Sequence, residues 1–182
     1  MSAEMRVQPF GVLLNWILRE WDENQSVFGI HRSLFHTPQP DSPYATRMFG
    51  HHLATPIGPA AGPHTQLTQN ILCAWLCGGR FMELKTVQIM DELEIPRPCM
   101  DMEDEGYNVE WSQELRLEQS ADEYVKAWVM IHVLRRRLGL EGRVPFGTIF
   151  NMSVGYNLEG IQSPRMTQFM DRLQDPSEEL CE

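Results

Sequence analysis

The chain has 182 residues, enough for a single domain with its own core. Its formal charge is −10, from 15 Lys+Arg against 25 Asp+Glu, which argues against nucleic acid and anionic membrane surfaces as partners. Four cysteines do not make a disulfide scaffold in a chain of this size, so reduced thiols and a cytoplasmic location are expected.

Met1–Gln8 is polar, and the first apolar run, Phe10–Leu18, is interrupted by Asn15. No signal peptide and no membrane span is read here. Pro9–Glu23 reads as an amphipathic helix, with Phe10, Leu13, Leu14, Ile17, Leu18 and Trp21 near helical spacing and Pro9 in the first turn. Gln25–Pro43 reads as a loop with apolar anchors. Ala45–Phe49 and His52–Ile57 read as a hairpin around Gly50. Thr65–Cys77 reads as a helix with Thr65 as N-cap and Gly78-Gly79 as its stop. Arg80–Val87 reads as a strand.

Asp91–Gln119 has no clear period and is long for a connection inside a compact domain. Nine acids and one base, Arg116, fall between Asp101 and Glu123. A solvated surface is the plain reading of that run; a docking face for another subunit is the alternative. Ser120–Glu123 has the capping-box pattern and predicts the start of a helix running through Leu138, with Arg135-Arg136-Arg137 in its last turn. Thr148–Val154 predicts a third strand and Pro164–Leu173 a short helix. Strands alternating with helices predict an α/β fold with a parallel sheet.

Three places can carry chemistry. Thr55–Pro63 is a strand end followed by residues with almost no side chain, so a flat ligand can lie against the backbone of Ala60, Ala61 and Gly62. A tight turn without a ligand is the alternative. Lys85 and Thr86 stand at the C-terminal end of the next strand, where parallel α/β folds bind ligands. An ammonium there favours a ligand that gains negative charge on reduction, and Thr86 can hydrogen-bond it. An exposed lysine paired with Glu83 or Glu92 is the plainer reading. Asn151, Ser153, Tyr156 and Asn157 follow the third strand and offer donors and acceptors for a ring bearing amide or carbonyl groups; an ordinary turn is the alternative. Cys73 and Cys77 read as buried structural thiols, His51-His52 as a poor chelate, and His64 as a helix-entry histidine. No iron–sulfur or metal site is read in this chain.

The runs Ala54–His64 (ATPIGPAAGPH), Gly78–Val87 (GGRFMELKTV) and Phe150–Ile161 (FNMSVGYNLEGI) resemble the amino-terminal part of the selenate reductase flavoprotein subunit family. The first portion of that family is similar to the dihydroorotate and dihydropyrimidine dehydrogenases. The resemblance extends over most of the chain, including Ser26–Ile30 and Trp111-Ser112. It implies an incomplete (β/α)₈ barrel: an N-terminal helix and hairpin, then about three parallel βα units, with residues 1–182 as one truncated FMN-binding domain. It implies FMN against Ala60, Ala61, Gly62, Lys85 and Thr86, and a small-molecule substrate at Asn157, with Asn151 nearby. FAD, NAD(P)H and iron–sulfur clusters are implied for the part that follows, together with other redox subunits as partners. The loops that carry the catalytic residue and the FMN phosphate in these dehydrogenases have no counterpart here, so no catalytic acid or base is assigned. A barrel takes about 250 residues. The expectation is an N-terminal piece of a longer iron–sulfur flavoprotein oxidoreductase, with little turnover of its own; a non-catalytic docking piece is the alternative.

Overall fold

The computed structural model describes residues 5–39, 41–91, 100–101, 107–108, 113–141, 146–155 and 157–177. Helix α1 (Phe10–Asn24) leads into a two-residue pair, β1 (Ser26–Val27) and β2 (Ile30–His31). A second hairpin follows, β3 (Thr46–Met48) and β4 (His51–Leu53). After a 3₁₀ turn, Pro63–Gln66, come α2 (Thr68–Leu76) and β5 (Phe81–Glu83). Strands β6 (Met100–Asp101) and β7 (Tyr107–Asn108) pair with each other. Helix α3 (Leu117–Arg137), β8 (Ile149–Asn151), α4 (Leu158–Ile161) and α5 (Pro164–Gln174) complete the order.

Both early hairpins use the same turn. Phe28 and Gly29 have φ of 50° and 78°, and Phe49 and Gly50 have φ of 51° and 81°. Two positive φ values in a two-residue connection give the turn whose twist matches that of paired strands. The second hairpin follows the sequence reading. The first lies inside the predicted Gln25–Pro43 loop and corrects it. Glu20 on α1 fastens this turn, its carboxylate accepting from Ser26 Oγ at 2.7 Å and from the Gly29 amide at 2.6 Å.

Strands β5 and β8 run parallel, Phe81 opposite Ile149 and Glu83 opposite Asn151. On the other side of β5, the Ile57 carbonyl accepts from the Arg80 and Phe81 amides at 2.8 and 3.1 Å, and the Pro59 carbonyl from the Glu83 amide at 3.3 Å. The segment after β4 thus joins the ladder without forming a regular strand. Gly58 is required there: a Cβ would lie 1.5 Å from the Phe81 carbonyl oxygen. The described strands form four separate two-stranded pairs, of which β5–β8 alone is parallel. Helices cover one face of that parallel pair, and no barrel closes among the described residues.

The core lies on that helix face. Met82, Leu84 and Val87 are buried in one cluster with Ile71, Leu72, Trp75 and Leu76 of α2, with Tyr124, Ala127, Met130, Ile131 and Leu134 of α3, and with Met166 and Phe169 of α5. Helix α2 packs on α3, and α3 on α5. Arg80 anchors the start of β5. It is 2 % exposed, donates to the carbonyls of Trp75, Gly79 and His36, and lies 4.7 Å over the Trp75 ring. Burial, with Arg135 near by, lowers its pKa to about 10.

Two predicted caps are corrected. Helix α3 begins at Leu117, one turn before the Ser120–Glu123 pattern. Its start is held from outside by Asp91, whose Oδ1 accepts the Leu117 amide at 2.9 Å, and from within by Gln119, whose Oε1 accepts the Arg116 amide at 2.9 Å. Glu123 is buried and caps a different helix, accepting the Thr68 amide at the start of α2 at 2.8 Å and pairing with Lys126. An acid at a helix N-terminus is favourable whichever element supplies it. Thr65 is not the α2 cap. Its hydroxyl accepts the Gly62 amide at 3.1 Å and donates to the Gly62 carbonyl at 2.9 Å, which closes the preceding 3₁₀ turn.

Candidate functional site

The face of β5 and β8 opposite the helices carries the predicted residues. Phe150, Met152 and Val154 pack against the core, so alternation turns Ile149, Asn151 and Ser153 the other way. Phe81 and Glu83 lie on the same face as their register partners Ile149 and Asn151. The wall grades along the strands. Phe81 and Ile149 are apolar at the N-terminal end, where Phe49 of the hairpin meets the Phe81 ring at 6.3 Å. Glu83 and Asn151 follow, then Lys85 and Ser153.

The register shifts at that last pair. Glu83 faces Asn151, but four residues on, Val87 bridges Val154, only three beyond Asn151. The ladder bonds agree: the Leu84 amide donates to the Asn151 carbonyl at 2.9 Å, and the Val87 amide, not that of Thr86, donates to the Ser153 carbonyl at 3.2 Å. Lys85 and Thr86 therefore stand opposite the single residue Ser153. This is a β-bulge, a device that re-aims side chains beside active sites. It also explains why Leu84 and Val87, three apart, are both in the helix-side core. Thr86 meets the other strand at Gly155, where an added Cβ would lie 3.2 Å from Thr86 Cγ2.

Lys85 is 3 % exposed, which removes the reading of an exposed surface lysine. Its carbonyl accepts the Tyr124 hydroxyl at 3.1 Å, from the helix side of the sheet. Tyr124 is 2 % exposed, and burial holds its phenol well above its ordinary pKa, so it stays a donor. Nothing in the sequence pattern singles out this tyrosine beyond its place on the apolar side of α3.

The small-residue loop sits at the same end of the ladder. Glu83 Oε2 accepts the Ala61 amide at 3.4 Å. Ala60 is exposed, Ala61 half-buried and Gly62 buried. The two glycines of the run serve the protein's own packing. Gly58 makes room for the Phe81 carbonyl, and a Cβ on Gly62 would lie 2.8 Å from the His64 ring. His64 is exposed in the 3₁₀ turn, and its carbonyl accepts from Asn70 at 3.0 Å.

Asn157 follows Gly155, whose amide bonds the Val87 carbonyl at 3.0 Å. Its side-chain oxygen caps α4, accepting the Gly160 amide at 2.8 Å, and the residue is exposed. The α4 turn was not read from the sequence, where Asn157 and Gly160 pass for turn formers. Tyr156 and Glu92 lie outside the described residues. Lys85, Thr86, Asn151, Ser153, Glu83 and the Ala60–Gly62 loop are thus brought to one end of one ladder, with Asn157 just beyond.

Other predicted features fall elsewhere. Cys77 is exposed and Cys73 half-buried, which corrects the reading of two buried thiols. Burial, then Cys77 and Glu20, raise the Cys73 pKa to about 11, so it stays protonated. Four acids of the predicted docking run have internal partners. Glu114 accepts from Gln66 at 2.5 Å, Glu118 binds Arg165 through both oxygens, Asp122 pairs with Arg172, and Glu123 caps α2. A concavity of about 940 Å³ lies along α5, lined by Gln162, Thr167, Asp171 and Arg172 among others, away from the predicted site. Among the described residues no three His, Cys, Asp or Glu side chains gather as a metal site, and no helix is long and apolar enough to cross a membrane.

Comparison with known proteins agrees with the resemblance at the coarser level. The family model described as the N-terminal TIM-barrel domain of oxidoreductase YgfK matches residues 28–181. The curated proteins "Putative oxidoreductase YgfK" of Escherichia coli strain K12 and of Escherichia coli O157:H7 are each 51% identical over 178 residues, which is 98% of this chain. The chain spans 17% of the length of these relatives. Neither name mentions selenate. The α/β sector, with its parallel ladder and outer helices, is part of a TIM barrel, and the chain belongs to the family of the YgfK N-terminal TIM-barrel domain.

Proposed function

We propose that this chain forms the flavin-facing wall of an FMN-dependent oxidoreductase domain. The observation that carries the reading is the bulge. It sets Lys85 and Thr86 together opposite Ser153, at the C-terminal end of a parallel ladder and beside a loop of small residues. TIM-barrel enzymes bind their ligands at that end. The residues there fit the group. Ala60 offers a flat approach, Asn151 both donates and accepts, Thr86 and Ser153 add hydroxyls, and Lys85 supplies a cation. When bound, FMN supplies the capacity to take or give a hydride.

The chain's own part is binding and charge placement. Lys85 favours negative charge at the ligand edge nearest it, which eases reduction. Glu83, one register pair earlier, opposes it. Asn157 keeps its amide nitrogen for a substrate while its oxygen caps α4. The remaining length of the relatives is where we place FAD, NAD(P)H and iron–sulfur binding, with electrons passing between those centres and this domain. The substrate class is a small molecule that stacks on the flavin.

A chimera tests this. The chain replaces the matched segment of the K12 relative, which its 51% identity permits. After reconstitution with FMN, anaerobic addition of NADH or NADPH should bleach the flavin absorbance. A folded chimera that retains no FMN would overturn the reading.

A further inference from the structure

We propose that Tyr124 is a positioning residue for the ligand site, its hydroxyl holding the bulge that presents Lys85 and Thr86. Its ligand half rests on the flavin reading above; its structural half does not. A bulge leaves a ladder locally irregular, and a backbone that loses regular pairing must find another partner or revert to regular register. Here a buried phenol comes through from α3, on the far side of the sheet, and donates to the Lys85 carbonyl at 3.1 Å. That carbonyl belongs to the first of the two residues sharing Ser153 as partner.

The rest of the site holds the two sides of the bulge. Leu84 and Val87 are buried at 2 % and 0 % exposure and cannot rotate toward the ligand face. Only the backbone between them is left to adjust, and Tyr124 fixes its central peptide, Lys85–Thr86. Gly155 completes the fit, since a larger residue there would press on Thr86. The hydroxyl does this without touching a ligand, because the sheet lies between them. Its effect passes through the Lys85–Thr86 backbone.

The test uses Tyr124→Phe, which removes the oxygen and keeps the ring. In the full chain, amide exchange at Thr86, Val87 and Gln88 should speed by about tenfold, the scale of one lost hydrogen bond, with α2 and α5 amides unchanged. In the chimera, FMN affinity should fall by about tenfold in Tyr124→Phe. The same change in a Lys85→Ala background should cost less than about twofold, since the group being positioned is gone. A purely structural tyrosine would cost the same in both backgrounds, and that result would overturn the positioning role. Unchanged exchange at residues 86–88 would overturn the structural half by itself. If the wild-type chimera takes up no FMN while exchange responds as expected, the flavin reading and the ligand half fall together.

Discussion

On the helix side of the β5–β8 ladder, Met82, Leu84, Val87, Phe150, Met152 and Val154 meet an apolar cluster drawn from α2, α3 and α5. On the other side, the same few residues of chain present Phe81, Glu83, Lys85, Asn151 and Ser153. One face gains stability by removing apolar area from water. The other spends part of it, carrying a carboxylate and a buried lysine that an apolar face would avoid. Alternation alone gives such a two-faced strand. The bulge then breaks alternation at one step, so that two consecutive side chains, Lys85 and Thr86, stand where a regular strand would place one.

Substitutions can separate the two faces. The largest effect is expected from Gly58→Ala, which spares neither. Its Cβ would collide with the Phe81 carbonyl, forcing residues 57–59 off the edge of β5 and costing more than about 3 kcal/mol. Chemical denaturation would measure this, and a near-wild-type midpoint would mean that the 57–59 pairing is not part of the folded ladder. Next is Leu84→Ala, on the helix face, expected to cost about 2–5 kcal/mol with FMN affinity of the folded fraction preserved. Lys85→Ala should do the opposite, reducing flavin affinity far more than stability. If the two variants had the same profile, the division between the faces would be wrong.

Smaller effects sharpen the ligand face. Glu83→Gln keeps shape and removes charge. It should make reduced flavin bind about tenfold more tightly relative to oxidised flavin, or about 30 mV for a two-electron couple. Spectroelectrochemical titration of the chimera would report it; no shift would place Glu83 away from the flavin. The smallest effect is expected outside the ligand face, at the pair of Glu118 with Arg165. The hydrogen bond from Arg165 holds the Glu118 carboxyl down to about 2, below its ordinary 4.5. A carboxylate with a lowered folded pKa contributes its stability above about 4.5 and loses it as the pH falls toward 2. Because the Glu118 side chain is 60% exposed, that contribution is under about 1 kcal/mol. Acid unfolding of Glu118→Gln against wild type between pH 2 and 5 would measure it.

Different physical signals made different parts legible. The periodic helices α1, α3 and α5 and the strand cores around Met82 and Phe150 follow from hydrophobic spacing. The β1–β2 pair did not, although Phe28-Gly29 uses the same turn as Phe49-Gly50, because two-residue strands leave no alternation to read. The capping errors share one cause. Glu123 and Asp91 cap helices distant in sequence, and a local pattern cannot show a cap supplied by another element. The site residues were legible as types at a strand end. Their grouping depends on a register shift between strands more than sixty residues apart, and Tyr124 enters through a helix that no motif connects to them.

The central claim is that the ligand face of the bulged ladder binds FMN through Lys85. Fluorescence titration of FMN into the chimera, wild type and Lys85→Ala side by side, tests it most directly. Saturable quenching that weakens at least about tenfold on loss of the ammonium is the expected result, the scale of one charge-assisted contact. Equal affinity in the two proteins, or no binding by a folded wild type, would contradict it.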